Sequence, residues 1–155
     1  MLQLIYYSRS LLPEGRERLE KMREILKQAQ VNNERDELTG FLLFDRRWFV
    51  QVLEGDSGRV ETTYNRIQTD ARHTDLKLVS RRATANRAFP AWSMCASIRT
   101  EANEEIFLRH GIGGELSPAA LSQPSILALA MDLQDLDRAR HARAVAHAAR
   151  PSLEL

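Results

Sequence analysis

The chain has 155 residues, of which 43% are hydrophobic, and its 22 basic and 21 acidic side chains leave a net charge of about +1. This length predicts one domain with an appendage and enough apolar residues for a sizeable core. The balanced charge gives no reason to expect a nucleic-acid or acidic-membrane partner. No stretch approaches the roughly 20 apolar residues of a membrane span. With one cysteine, Cys95, and no signal-peptide pattern, we expect a soluble, cytoplasmic protein without an internal disulfide.

The first predicted elements are a strand and a helix. Residues 2–8, LQLIYYS, are β-prone and lack a helical period, which indicates a strand. A stripe of apolar side chains spaced three and four apart then predicts a helix over residues 16–30. The pair Asn32 and Asn33 is a plausible helix end, because Asn tolerates the left-handed conformation.

A hairpin and a second strand–helix pattern follow. Residues 38–44 and 48–53 are two apolar runs joined by three polar residues, which is typical of a hairpin. Apolar side chains at helical spacing over residues 60–67 predict the second helix. Residues 76–80 and 93–98 complete the predicted sheet as its fourth and fifth strands.

The order β-α-β-β-α-β-β predicts the fold class. Its first six elements are the ferredoxin-like split βαβ arrangement, to which a fifth strand is added. We therefore expect an α+β fold, with a ferredoxin-like βαββαβ five-stranded sheet and two helices on one face. Because the central strands are apolar on both sides, the other face also needs cover. Helical patterns at residues 104–110 and 126–136 would supply it, so we expect residues 100–155 to form a C-terminal helical cap on a domain of residues 1–99.

The third predicted strand, residues 48–53, holds a carboxamide at an apolar position. A buried amide without partners costs roughly 1–3 kcal/mol, so Gln51 needs partners on its own face. The first and third strands are neighbours in this topology, which could place Tyr6 opposite Gln51, and Asn33 is a second candidate. Rotating an amide exchanges its donor and acceptor, so a buried Gln between two partners can act as a two-state element. The ordinary alternative is a solvated Gln or one bonded to a neighbouring strand.

Five separated motifs carry a family resemblance: LIYYS (4–8), NN…LTG (32–40), FVQVLEG (49–55), YNRIQTDARH (64–73) and FPAWSM (89–94). In this order and spacing, over roughly residues 2–98, they resemble the BLUF domain, the blue-light sensor using flavin. The resemblance implies a flavin, expected to be FAD with FMN as the alternative. It implies that this flavin lies between the two helices, on the helix-covered face of the sheet.

The resemblance also implies roles for single residues. Tyr6 matches the photoactive tyrosine, and Gln51 matches the glutamine that hydrogen-bonds both that tyrosine and the flavin. Asn33 matches the asparagine that holds the pyrimidine-like edge of the flavin. Trp92 and Met94 match a signal-relay pair on the fifth strand. Positions that can reach the ribityl–phosphate end are Asn32, Arg66, Asp70 and His73.

One departure from the family pattern is Ala29, where several members have Ser. The change could remove a hydrogen bond near the flavin ring and alter kinetics or colour, but it leaves the Tyr6–Gln51 pair intact. Tyr7 follows Tyr6 in an alternating strand, so it should point to the opposite face and pack there.

The resemblance implies a photocycle without substrate turnover, so we expect a photoreceptor and not an enzyme. Excitation would draw an electron and a proton from Tyr6 through Gln51, which is left rotated or tautomerised. The expected partners are an unknown protein effector and further copies of the chain, because the roughly 55 residues after position 100 are too few for a catalytic or DNA-binding domain. The four histidines show no metal-ligand spacing, so no metal site is predicted.

Two other classes share this topology. One is an enzyme, either a flavin-binding oxidoreductase or an acylphosphatase-like hydrolase, and the other is a flavin-free ferredoxin-like interaction module. The hydrolase needs a phosphate-cradling loop after the first strand, whereas SRSLLPEG (8–15) has a single Gly. Bound flavin whose absorbance shifts reversibly in blue light would distinguish the photoreceptor from the others.

Overall fold

A computed structural model of the chain describes residues 1–91 and 93–149. The strands are β1 (Leu2–Ser10), β2 (Thr39–Asp45), β3 (Trp48–Gly55), β4 (His73–Ala83) and β5 (Cys95–Ile98). The helices are α1 (Arg16–Arg35), α2 (Ser57–Gln68), α3 (Glu104–Arg109) and α4 (Gln123–Ala148), with 3₁₀ turns at Glu101–Asn103 and Pro118–Ala120. Within the described residues, no helix is long and apolar enough to cross a bilayer.

The five strands form one mixed sheet in the order β4-β1-β3-β2-β5. β1 pairs antiparallel with both β3 and β4, and β2 pairs antiparallel with β3. β5 joins the free edge of β2 in parallel. This is the predicted ferredoxin-like arrangement with an added strand, and the fold class is confirmed.

Each face of the sheet has its own core. On one face, α1 and α2 pack through Met22, Val60 and Tyr64 against the alternate residues of the central strands. On the other face, α3 and α4 pack against the residues between them, with Phe107 and Leu133 fully buried. The central strands are apolar on both sides because both sides are covered, as the sequence predicts.

Several element boundaries differ from the prediction. α1 continues through the Asn pair to Arg35, because its last turn packs against the sheet and the segment before β5. β5 begins at Cys95, so Met94 lies just before the strand and not within it. α4 extends to Ala148, well past the predicted stripe. These boundaries depend on contacts between distant segments, which local patterns do not show.

Gly40 of the LTG motif permits the close approach of β2 to its neighbours. A Cβ atom there would lie 1.9 Å from the backbone oxygen of Val52 and 3.4 Å from Cε of Met94. Any other residue would displace backbone, so only glycine fits. The motif thus allows Met94 to pack beside Gln51 on the face of the sheet that α1 and α2 cover.

The loop between β4 and β5 is held by a buried carboxylate. Glu54 is fully buried and accepts hydrogen bonds from Nε2 of Gln3 at 2.8 Å and from the backbone N–H groups of Ala88 at 2.8 Å and Phe89 at 3.0 Å. All three partners are donors. A carboxylate satisfies them because both of its oxygens accept.

Changing Glu54 to Gln should therefore destabilise the fold. The amide turns its NH₂ group toward one of the three donors, which is left buried without a partner at a cost of about 1–3 kcal/mol. Urea unfolding measures the loss. Glu37→Gln is the matched control, since Glu37 is exposed in its ion pair with Arg59 and should change stability by no more than about 0.5 kcal/mol. Equal effects of the two substitutions would contradict the role of the buried carboxylate.

Candidate functional site

A cavity of about 190 Å³ opens between α1 and α2 on the helix-covered face of the sheet. Its floor is formed by side chains of β1, β2 and β3, and its walls by the two helices and the start of β4. All the predicted photoactive and cofactor-binding residues line it: Tyr6, Asn32, Asn33, Gln51, Arg66, Asp70 and His73. The structure therefore brings together side chains that are up to 67 positions apart in the sequence.

Tyr6 and Gln51 form the centre of the cavity floor. They are direct partners in the β1–β3 ladder, and the phenol of Tyr6 donates a hydrogen bond to Oε1 of Gln51. Both side chains are buried, at 3% and 4% exposure. Because side chains alternate along β1, Tyr7 lies on the opposite face, where its ring meets Trp48 edge-on at 5.9 Å between centroids.

The environment of Tyr6 keeps its phenol protonated. Burial raises the pKa of Tyr6 far above its usual range, and the nearby Tyr64 and Asp70 add to the effect. The Tyr64 ring lies 5.8 Å away and His73 lies 6.4 Å away, between centroids. At neutral pH Tyr6 is thus a neutral hydrogen-bond donor.

The other end of the Gln51 amide faces the segment before β5. Its Nε2 lies 3.8 Å from the Sδ atom of Met94, close enough for a weak hydrogen bond. The end of α1 fixes this segment, because Gln30 donates to the Met94 carbonyl at 3.1 Å and Asn33 donates to the Ser93 carbonyl at 2.9 Å. A change at Gln51 therefore has a direct contact through which to reach the segment leading into β5.

The polar rim of the cavity is formed by α2 and the turn after it. Asp70 accepts from the Arg72 guanidinium at 2.9 and 3.1 Å and from the Arg72 backbone N–H at 2.9 Å. The hydrogen bonds from Arg72 hold the pKa of Asp70 below its usual range. Arg72 also reaches Gln28 of α1 at 3.2 Å and so bridges the two helices. Arg66 adds a second cation to the lining.

His73, at the start of β4, contacts both α2 and β1. Its Nε2 lies 2.6 Å from the Ile67 carbonyl, and its Nδ1 lies 2.7 Å from Oγ of Ser8. A carbonyl can only accept, so Nε2 carries the proton and, in the neutral ring, Nδ1 accepts from the Ser8 hydroxyl. Both nitrogens are engaged within the protein, which leaves His73 to shape the wall through its ring.

Of the two predicted signal-relay residues, the structure describes only Met94. Met94 contacts Gln51 but does not line the cavity, and Trp92 lies outside the described residues.

Sequence reasoning missed Gln28, Thr63 and Arg72, which also line the cavity. Arg72 stands between two predicted residues in the YNRIQTDARH motif, and that position was the one available signal. Within the described residues, no group of three or more His, Cys, Asp or Glu side chains is placed to hold a metal ion.

The lining suits a flat ring with a polar edge and a charged tail. Apolar walls come from Ile25, Ala29, Leu42, Phe49 and Ile67. The amides of Asn32 and Asn33 in the α1 wall and of Gln51 in the floor offer donors and acceptors, and Arg66 offers a cation at the rim. An isoalloxazine has apolar faces and a hydrogen-bonding pyrimidine edge, and its side chain ends in phosphate. The residues present fit a flavin.

Fold and cavity together define a ferredoxin-like ligand-binding domain with a buried phenol–carboxamide pair at its floor. The family model described as "BLUF: Sensors of blue-light using FAD" matches residues 1–95. The chain belongs to the BLUF family, as its motifs predict, and this part of it is a flavin-dependent blue-light photoreceptor domain.

Named relatives agree with this assignment. The beta subunit of photoactivated adenylate cyclase from Euglena gracilis is 35% identical over 104 residues, which are 66% of this chain and 11% of the relative. The chain thus spans about a tenth of the length of the curated relatives it matches.

Solved structures also match. BlsA in its photo-activated state superposes with a TM-score of 0.74 at 28% identity, over 85% of this chain and 93% of BlsA. The dark-state BLUF protein BlrB superposes with a TM-score of 0.66 at 26% identity, over 84% of this chain and 96% of BlrB. A bacterial light-regulated adenylyl cyclase matches 98% of this chain with 37% of its own, at a TM-score of 0.62 and 26% identity.

Proposed function

We propose that this chain senses blue light through a rearrangement of the hydrogen bond between Tyr6 and Gln51. The observation that carries the proposal is the buried contact from the Tyr6 phenol to Oε1 of Gln51 on the floor of the cavity between α1 and α2. When bound, the flavin supplies blue-light absorption and, once excited, a strong oxidant. Tyr6 would lend an electron and, through Gln51, a proton, and both would return to Tyr6, so that the cycle closes without net oxidation.

The Gln51 amide can hold two arrangements in this site. In the described one, Oε1 accepts from Tyr6 and Nε2 faces the Met94 sulfur. Rotation by half a turn would place Nε2 on the Tyr6 oxygen and Oε1 against Sδ, where two acceptors meet. A hydrogen-bond difference on the order of 1 kcal/mol separates such states, enough to shift a finely balanced equilibrium.

Met94 is the proposed first step of the signal relay out of the site. It leads directly into β5, which pairs with β2 alone along its length. On the far face, Cys95 of β5 packs against Gln134 of α4. Gln134 is buried at this contact, so a shift of β5 would change the surroundings of its amide. The proposed route runs from Gln51 through Met94 and β5 to α4.

FAD is the proposed flavin, with Asn33 at its pyrimidine edge and Asn32, Arg66, Asp70 and His73 near its ribityl–phosphate end. The description of the family names FAD, and Arg66 gives the rim the positive charge that phosphate needs, beside the Arg72–Asp70 ion pair. Denaturing the purified protein and separating the released flavin by chromatography identifies the cofactor. Release of FMN alone would contradict this assignment.

The remaining proposals concern the whole protein. We place flavin binding in residues 1–99 and signal output in residues 100–155, with no enzymatic turnover in this chain. The expected partners are a protein effector and further copies of the chain, and the expected location is the cytoplasm. The named cyclase relatives are light-regulated enzymes, which supports a BLUF domain whose output reaches another protein surface.

Absorbance spectroscopy tests the sensor directly. The purified, flavin-loaded chain should show a small red shift of its flavin bands under blue light and return to the dark spectrum afterwards. The shift is expected because a change in the hydrogen bonds that Gln51 offers to the flavin would lower the excitation energy. A flavin-loaded protein whose spectrum is unchanged by light would overturn the proposal.

Arg66→Ala should weaken flavin retention by roughly ten- to a hundredfold, since removing one charged hydrogen bond costs about 1.5–3 kcal/mol in a favourable geometry. The measurement is the dissociation constant for added flavin after the endogenous flavin is removed. Arg59→Ala is the matched control, because Arg59 lies on the same helix but pairs with Glu37 away from the cavity. Equal retention in both variants would remove Arg66 from the binding site.

A further inference from the structure

The long helix α4 buries one side and leaves the other uncovered. Ile126, Leu129 and Leu133 pack on the sheet at 3%, 2% and 0% exposure. On the opposite side, Met131 is 39% exposed and Val145 is 55% exposed. Every residue from 138 to 149 is exposed, although the helix continues to Ala148. The last three turns of α4 are therefore mostly uncovered, although Arg140 still donates to the Ala102 carbonyl and Arg138 and Ala142 border a groove beside β5.

The uncovered side has a regular pattern. Its residues follow one another at spacings of three, four, three, four and three, and all are exposed: Ala128, Met131, Asp135, Arg138, Ala142 and Val145. We name these six residues the outer stripe. Alternating spacings of three and four are those of a coiled-coil seam, in which a second helix covers the stripe. The two charged residues lie at the middle of the stripe, with small and apolar residues on both sides.

The two charged residues of the outer stripe favour a second α4 helix as the partner and an antiparallel orientation of the pair. In a parallel pair of α4 helices, Asp135 would face Asp135 and Arg138 would face Arg138. In an antiparallel pair whose two-fold axis passes between positions 136 and 137, each Asp135 faces the partner's Arg138. We propose that the outer stripe of α4 is the interface of an antiparallel homodimer, whose register is set by two Asp135–Arg138 pairs.

Side-chain sizes are complementary in the same register. Met131 falls opposite Ala142, and Val145 falls opposite Ala128, so each large side chain of the stripe meets a small one. Because the contact is isologous, each of these pairings occurs twice. The same residues thus satisfy charge and shape with a second copy of this chain as the occupant.

This proposal rests on the proposed self-association and assigns it a surface. Sedimentation of the full, flavin-loaded chain should give twice the 17.7 kDa mass of one chain. Asp135→Arg places four cationic groups at the centre of the seam, and Arg138→Asp places four anionic groups there, so each variant alone should be monomeric. Glu20→Arg, on exposed α1, is the matched control and should remain dimeric. The light-induced absorbance shift, measured on every variant, reports the flavin site separately.

Mixing the two variants gives the sharper result. Asp135→Arg and Arg138→Asp chains restore opposite charges across the seam only when they pair with each other, so an equimolar mixture should return to the dimer mass. Failure of the mixture to associate would overturn the proposal. A wild-type monomer would overturn self-association as well, whereas a wild-type oligomer that survives both substitutions would overturn this surface alone.

Cysteine cross-linking tests the direction of the helices. In a Cys95→Ala background, Met131→Cys combined with Ala142→Cys should form disulfide-linked dimers on mild oxidation, since each position faces the other. Either substitution alone should not cross-link, because the two copies of each position lie apart. Efficient cross-linking of a single variant would show a parallel pair and overturn the proposal.

Discussion

Replacing Tyr6 with Phe is expected to abolish the light-induced absorbance shift and to leave the flavin bound. The substitution keeps the buried ring and its contact with Tyr64, and it removes only the hydroxyl that donates to Gln51. Without that hydroxyl, the site loses its proposed electron and proton donor and the acceptor on Gln51 loses its partner. The measurement is the difference spectrum between dark and illuminated protein, with cofactor content determined after denaturation.

Tyr7→Phe is the matched control for this prediction. It removes the same atom from the neighbouring residue on the opposite face of the sheet, where the ring packs against Trp48. The control should retain the full shift. A normal photocycle in the Tyr6 variant, or loss of the shift in both variants, would remove the special role of Tyr6.

At pH values above the usual range of tyrosine ionisation, Tyr6 should still be a neutral phenol that can donate to Gln51. Because burial raises the pKa of Tyr6, the folded state keeps the neutral phenol that an unfolded chain would ionise near pH 10. The stability this contributes is complete below pH 10 and falls as the pH rises further, since only the unfolded state then releases the proton.

Alternation within strands made much of the site predictable. Over residues 48–53 of β3 the apolar pattern is interrupted only by Gln51, and the split βαβ topology brings β1 beside β3, so Tyr6 was the expected neighbour. The structure pairs these two residues directly. Double-sided apolarity of the central strands likewise predicted that the C-terminal helices cover the second face, and Phe107 and Leu133 do so.

Other features depend on contacts that no local pattern contains. The end of α1 was predicted at the Asn pair from the intrinsic preference of Asn, but Asn33 stays helical and bonds to the Ser93 carbonyl 60 positions away. The start of β5 is set by pairing with Phe41 of β2. Arg72 was overlooked because a charged residue in a turn is usually solvated, whereas here it joins Asp70 to Gln28.

Gln51→Leu is expected to remove the light-induced shift as completely as the Tyr6 substitution. Leucine has a similar volume and is compatible with the apolar surroundings of β3, but it can neither accept from Tyr6 nor face Met94 with a donor. The Tyr6 hydroxyl is then buried without an acceptor, which should lower the free energy of unfolding by about 1–3 kcal/mol. The readouts are the light-minus-dark difference spectrum and urea unfolding.

The control for Gln51 is Gln28→Leu, which removes an amide from the same cavity without touching the Tyr6 hydroxyl. If the shift requires only a polar cavity, the two variants should behave alike. If it requires an amide between a phenol donor and the segment before β5, the Gln28 variant keeps the shift and the Gln51 variant loses it. Rotation of the Gln51 amide is the only proposed change that alters the contact with Met94. If the Gln51 variant still showed the normal absorbance shift, that rotation could not be the origin of the signal, and the proposed relay into β5 would fall with it.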